Sequence, residues 1–178
     1  DPPYDRWNQT AVTVVGHDGL GSQPNQLLFP RGIAIDDNGN IYVADWANHH
    51  IVQCAQGGTR ETIVPSESFV AGRTFRLSHP TDVVADKQDN SIIICDRGNR
   101  RVVRVCVGAT LQTLVENIAC YGLAIDGEGH LYVSDSEKNE VRRWRQGEEY
   151  GTLVAGGNGR GSQLNQLSGP TYIFVDEE

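Results

Sequence analysis

The stretch 12–27 returns, barely altered, at 152–167: Gly19-Leu-Gly-Ser-Gln-Pro-Asn-Gln-Leu27 becomes Gly159-Arg-Gly-Ser-Gln-Leu-Asn-Gln-Leu167. A chain that repeats itself in this way folds as a stack of like units, each covering the apolar face of the next. Between the copies, three units open on an apolar run ending in Asp: Pro30-Arg-Gly-Ile-Ala-Ile-Asp36, Pro80-Thr-Asp-Val-Val-Ala-Asp86 and Cys120-Tyr-Gly-Leu-Ala-Ile-Asp126. A further unit opens at Pro170-Thr-Tyr-Ile-Phe-Val-Asp176. The opening Asp residues recur at intervals of 50, 40 and 50 residues, the length of four short strands with variable links.

Each unit continues with a turn rich in Asp, Asn and Gly and a second apolar segment that again ends in Asp. These segments are Asn40-Ile-Tyr-Val-Ala-Asp45, Ser91-Ile-Ile-Ile-Cys-Asp96 and His130-Leu-Tyr-Val-Ser-Asp135. Third segments centre on Ile51, Val102 and Val141, and a fourth follows in each unit. Short β-branched runs between polar turns predict strands in a meander, whereas helical repeats would need stripes of period 3.6. Runs such as Ile92 to Ile94 carry no polar alternation, which predicts strands covered on both faces by neighbouring sheets.

The third segments follow turns with a shared spacing. Asp45-Trp-Ala-Asn-His-His-Ile51 and Asp96-Arg-Gly-Asn-Arg-Arg-Val102 place Asn three residues and an aliphatic residue six after the Asp. Together with the preceding apolar segments, this pattern resembles the NHL repeat, a family of β-propeller blades, over roughly residues 12 to 176. Asp135-Ser-Glu-Lys-Asn139 departs from it, with Lys138 where Asn48 and Asn99 stand, so that turn is expected to be built differently.

The resemblance implies an all-β chain, a propeller of four-stranded antiparallel blades. Residues 1–178 read as a single propeller domain or segment. It has a leading strand at 11–15, blades at about 30–65, 80–115 and 120–155, and the start of another repeat at 170–176. Propellers of this family commonly have six blades, so three complete units imply either part of a larger ring or a head-to-tail homo-oligomer.

Charge and composition narrow the partners. With 23 acidic against 15 basic residues, the net charge of −8 argues against a nucleic-acid surface, which needs clustered Lys and Arg. No apolar run approaches a membrane span. Cys54, Cys95, Cys106 and Cys120 permit three pairings and lack zinc-type spacing, and Cys95, closing an apolar run, reads as a buried thiol, with a disulfide as the alternative. The sequence does not fix a compartment.

Two functional readings compete. The first is a binding or assembly module, not an enzyme, whose end loops contact a protein, peptide or glycan. Its candidate contacts are Trp46, His79, Tyr121 and Tyr172, with no catalytic residue, metal or cofactor assigned. The second comes from the resemblance: some NHL-like propellers are metal-dependent lyases that cleave peptidyl hydroxyglycine with His ligands near the central channel. Only His79 immediately precedes a unit opening, and Phe29, Ala119 and Gly169 stand at the aligned positions, which breaks the simplest ring of three imidazoles.

Overall fold

A computed structural model of the chain describes residues 10–23, 25–57, 61–64, 67–70, 73–106 and 111–176. The architecture is all-β and repetitive. The first four-stranded antiparallel sheet runs in order through β1 (Pro30–Ile35), β2 (Ile41–Asp45), β3 (His50–Cys54) and β4 (Glu61–Val64). A two-stranded hairpin, β5 (Glu67–Val70) and β6 (Arg73–Arg76), lies in the link to the second sheet. That sheet comprises β7 (Asp82–Asp86), β8 (Ser91–Asp96), β9 (Arg101–Val105) and β10 (Leu111–Glu116). The third comprises β11 (Cys120–Ile125), β12 (Leu131–Asp135), β13 (Glu140–Trp144) and β14 (Thr152–Gly156).

Three four-stranded sheets thus follow one another along the described chain. Residues 11–15 and 170–176, read from the sequence as strands, carry none, and the hairpin β5–β6 had no equivalent in the repeat pattern. The repeated stretches differ at their starts, where 152–156 is strand β14 and 12–15 carries none, but matching loops follow, with Leu20 bridged to Leu27 and Arg160 to Leu167. Gln26 and Gln166 each donate from Nε2 across the loop, to the carbonyls of Asp18 and Asn158 respectively.

The first strands stand side by side: Gly32 N–H donates to the Thr81 carbonyl, linking β1 to the residue before β7. Leu123 N–H of β11 donates to Asp82 Oδ2 of β7 at 2.8 Å. Ser134 Oγ reaches the Thr171 carbonyl at 2.6 Å, carrying the sequence beyond the third sheet alongside it. Close approach needs small residues in alternate units. A Cβ on Gly32 would run into Asp82, and one on Gly122 into the backbone at Thr171 and Tyr172.

Two apolar layers fill the gaps between sheets. The first packs Tyr42, Ala44 and Ile51 against Val83, Ile92 and Ile94; the second packs Ile93, Cys95 and Val102 against Leu123, Leu131 and Val133. Successive residues of β8 therefore serve opposite layers, and all six of its residues are buried. That explains the unbroken apolar run, since each buried Ile contributes about 1.5–3 kcal/mol.

Cys95 is not the free thiol expected of a residue closing such a run. It is bonded to Cys120, with Cα atoms 5.8 Å apart, because β8 and β11 bring their inner faces together across the second layer. Cys54 is buried, with its Sγ 3.5 Å from the Val14 carbonyl, and Cys106 is an exposed thiol.

Aspartates organise both turns of each unit. Asp36 Oδ1 accepts the N–H groups of Asn38 and Asn40, and its Oδ2 accepts Asn40 Nδ2 and the Tyr42 hydroxyl. Asp126 repeats this with His130 and Tyr132. At the second turn, Asp45 Oδ1 accepts Leu28 N–H and its Oδ2 accepts Asn48 Nδ2; Asp96 does the same with Ser78 and Asn99. The third unit differs as expected. Asp135 Oδ1 turns onto the N–H groups of Glu137 and Lys138, and its buried Oδ2 accepts no hydrogen bond.

Candidate functional site

The ends of the units where first strands begin and second strands finish carry the richest chemistry. Residues that follow the short turns at Trp46–Asn48 and Arg97–Asn99 are delivered there, next to the openings at Arg31, His79 and Tyr121. His49 closes the first turn in the left-handed region, at φ 61°, and His79 also has positive φ, at 47°. Non-glycine residues hold that conformation only where the surroundings impose it. Here His79 N–H donates to His49 Nδ1 at 3.0 Å, and the two rings meet edge to face with centroids 4.2 Å apart.

From this pair the contacts run on. The His79 ring lies 4.6 Å from Trp46, and the Arg31 guanidinium sits over Trp46 at 5.5 Å. Arg31 Nη1 donates to the Tyr121 hydroxyl at 3.3 Å. Tyr121 packs edge to face on Tyr172 at 5.4 Å and lies beneath Arg97, 5.1 Å away, whose Nη1 donates to Ser136 Oγ. All four residues named from the sequence, Trp46, His79, Tyr121 and Tyr172, thus fall in one contiguous cluster. Trp46 is half-buried, not a freely exposed anchor, because Phe29, Arg31 and His79 flank it.

Burial lowers the His49 imidazole, and the neighbouring His79 and His50 push it further the same way. Burial raises the Tyr172 phenol, with Tyr121 and Asp82 adding to the shift. Asp82, beneath the cluster, is pushed up to about 6 by burial, against the N–H bonds it accepts from Leu123 and Val83. A carboxyl near 6 is placed to exchange protons near neutrality.

Arg31 and Asp82 were not singled out by motif reasoning. The available signal was alignment: Arg31 stands where Thr81 and Thr171 stand, and Asp82 where Gly32 and Gly122 stand. Among the described residues, no three His, Cys, Asp or Glu side chains group as metal ligands. His49 and His79 supply two imidazoles, and His49 Nδ1 is already occupied by a backbone N–H, so this donor set does not fit a three-ligand catalytic zinc. Two further imidazoles are held by carboxylates: His50 by Asp45 at 3.1 Å, and His130 by Asp126 at the opposite ends of the strands.

The NHL repeat family model matches residues 27–54, which cover β1 to β3. Among curated proteins, the chain is 27% identical over 172 residues to Teneurin-3 of Mus musculus and 25% identical over 173 residues to Teneurin-4 of Homo sapiens. Each alignment takes in 78% of this chain and 6% of the relative. Among solved structures it is similar to a streptogramin B lyase, with TM-score 0.52, 19% identity and 70% of this chain covered. It is also similar to virginiamycin B lyase of Staphylococcus aureus, with TM-score 0.57, 14% identity and 80% covered. A protein of unknown function from Bacteroides thetaiotaomicron superposes at TM-score 0.64, with 14% identity and 84% covered. The chain spans 39%, 44% and 42% of those three structures.

The expectation of a binding or assembly module instead of an enzyme is corrected by these neighbours, because the fold is one that catalytic lyases use. It rested on the lack of a local catalytic motif. In a fold of repeated sheets the end groups come from separate units, so a site assembled there leaves no contiguous signature.

Proposed function

We propose, for a chain that belongs to the NHL-repeat, propeller-like fold family, a lyase-type activity at the end of the units where the first strands begin. The observation that carries this reading is the convergence of His79, Trp46, Arg31, Tyr121 and Tyr172 from separate units into one cluster. The substrate class is peptide-like, by analogy with the inactive virginiamycin B lyase solved with quinupristin.

An elimination needs a base to take a proton and an acid to give one to the group that leaves with the bonding electron pair; the pair freed by the base becomes the new double bond. Tyr121 suits the acid role. Its oxygen accepts from Arg31, which leaves its own O–H free to donate to a leaving group. His79, beside Trp46, is assigned the base, and Arg31 and Arg97 stabilise negative charge as it develops. The aromatic rings hold the apolar parts of the substrate. Its remaining contacts come from further blades, supplied by a longer chain or by a second copy docked head to tail.

The test incubates the protein with quinupristin and with a peptidyl hydroxyglycine and follows both by chromatography and mass spectrometry. Ring opening without added water, or release of an amide, is expected, with Tyr121→Phe slower by about a hundredfold. If both substrates survive at protein concentrations matching their own, the lyase reading fails.

A further inference from the structure

Arg97 opens the short turn after β8, at the place that Trp46 and Ser136 hold in the other two units, so the turn itself does not require a guanidinium. The side chain reaches across to the third unit. Its Nη1 donates to Ser136 Oγ at 3.0 Å, and the Ser136 hydroxyl is itself oriented by donating to the Ala119 carbonyl at 3.1 Å. The guanidinium carbon lies 5.1 Å from the centre of the Tyr121 ring, whose face attracts a cation. Two contacts from the third unit thus hold the group in place.

The Nε and Nη2 edge of the same guanidinium has no acceptor among the described residues. Unlike the Nε atoms of Arg104 and Arg143, it is not buried, so a ligand can reach it. Elsewhere in the chain an arginine Nε meets a carboxylate, Asp96 for Arg101 at 2.7 Å and Glu140 for Arg142 at 2.6 Å. The carboxylates around Arg97 are already engaged. Asp96 accepts from Ser78, Asn99 and Arg101, and Glu137 is held by Arg100 at 2.7 Å. Arg31, which donates to the Tyr121 hydroxyl, likewise has no carboxylate partner among the described residues.

With the end cluster read as a lyase site, on which this rests, we infer that its substrate carries a carboxylate, which the Nε and Nη2 edge of Arg97 grips in two parallel hydrogen bonds. A planar fork held at a fixed angle matches a carboxylate. A doubly charged group would meet a single fork in a chain of net charge −8, so the singly charged group fits better. Beside the fork, Tyr172 packs on Tyr121 and is 50% exposed, which offers a surface to an apolar part of the same ligand. Arg97 then serves the standing charge of the substrate, and Arg31, which touches the Tyr121 oxygen, serves the charge that develops.

Three probes that carry no group to eliminate are titrated into the full chain by calorimetry and by NMR of the arginine Nε–H signals. They are N-acetyl-phenylalanine, with a terminal carboxylate, N-acetyl-aspartyl-phenylalaninamide, with one on a side chain, and N-acetyl-phenylalaninamide, with none. A carboxylate probe is expected to bind about tenfold more tightly than the neutral amide and to shift the Arg97 Nε–H signal. The tighter of the two tells a chain terminus from an acidic side chain. The preference is expected to vanish in Arg97→Gln, to weaken in Arg97→Lys, which keeps the charge without the fork, and to persist in Arg145→Gln beyond the far end of β13. Equal affinity for all three probes, no binding of either carboxylate, or a preference that survives Arg97→Gln overturns the proposal. Carboxylate binding with quinupristin and peptidyl hydroxyglycine left intact would sink the lyase activity alone, whereas turnover without carboxylate preference would sink this subsite alone.

Discussion

A buried carboxylate is a thermodynamic handle, and Asp82 is the clearest one here. Burial raises it to about 6, while an unfolded aspartate titrates near 3.8, so the folded state favours the protonated form. Its contribution to stability is complete below pH 3.8 and is lost as pH rises through 6, a change of about 3 kcal/mol for a shift of this size. Asp82→Asn is expected to flatten the fall in melting temperature between about pH 4 and 6. Asp82→Ala, which leaves the Leu123 N–H without its acceptor, is expected to cost about 1–3 kcal/mol. Asp36 and Asp126 act in the other direction. Partial burial pushes them up, but bonds from their own turns outweigh it and hold both below the usual carboxylate range. The stability they contribute is present above pH 3.8 and is lost as pH falls, so thermal melts in acid separate them from Asp82. None of this was legible in the sequence, where Asp82 is one acid among 23 and only its packing against β11 sets it apart.

At the level of the turn, the sequence was informative. The spacing from Asp to Asn in the first two units corresponds to carboxylates that tie the turn to the preceding loop, and the Lys138 departure marks the unit where that tie is missing. Lys138→Asn is therefore expected to supply the Asp135 Oδ2 atom with a donor and raise stability by about 1 kcal/mol, measurable as a higher urea midpoint. The disulfide was harder to see. Four cysteines permit several pairings, and only the apposition of β8 and β11 selects Cys95 with Cys120. Its loss in a Cys95→Ser, Cys120→Ser double variant is expected to cost about 3 kcal/mol, because the bond closes a separation of 25 residues. Reduction of the unaltered chain should lower its melting temperature comparably. The end cluster was legible by residue type at Trp46, His79, Tyr121 and Tyr172. The bridge between them was not, because Arg31 lies 90 positions from its partner Tyr121.

Across the whole molecule, the glycines at the openings set how near the sheets come. Gly32→Ala and Gly122→Ala are each expected to push adjacent first strands apart and lower the melting temperature, while Gly127→Ala, which meets open space, serves as the control. Thermal unfolding followed by circular dichroism distinguishes them. Along the stack, the position reads Gly32, Asp82, Gly122, Tyr172: slender, bulky, slender, bulky. Exchanging two neighbouring units would set two bulky residues, or two slender ones, side by side, so this one position dictates the order in which the units can follow one another.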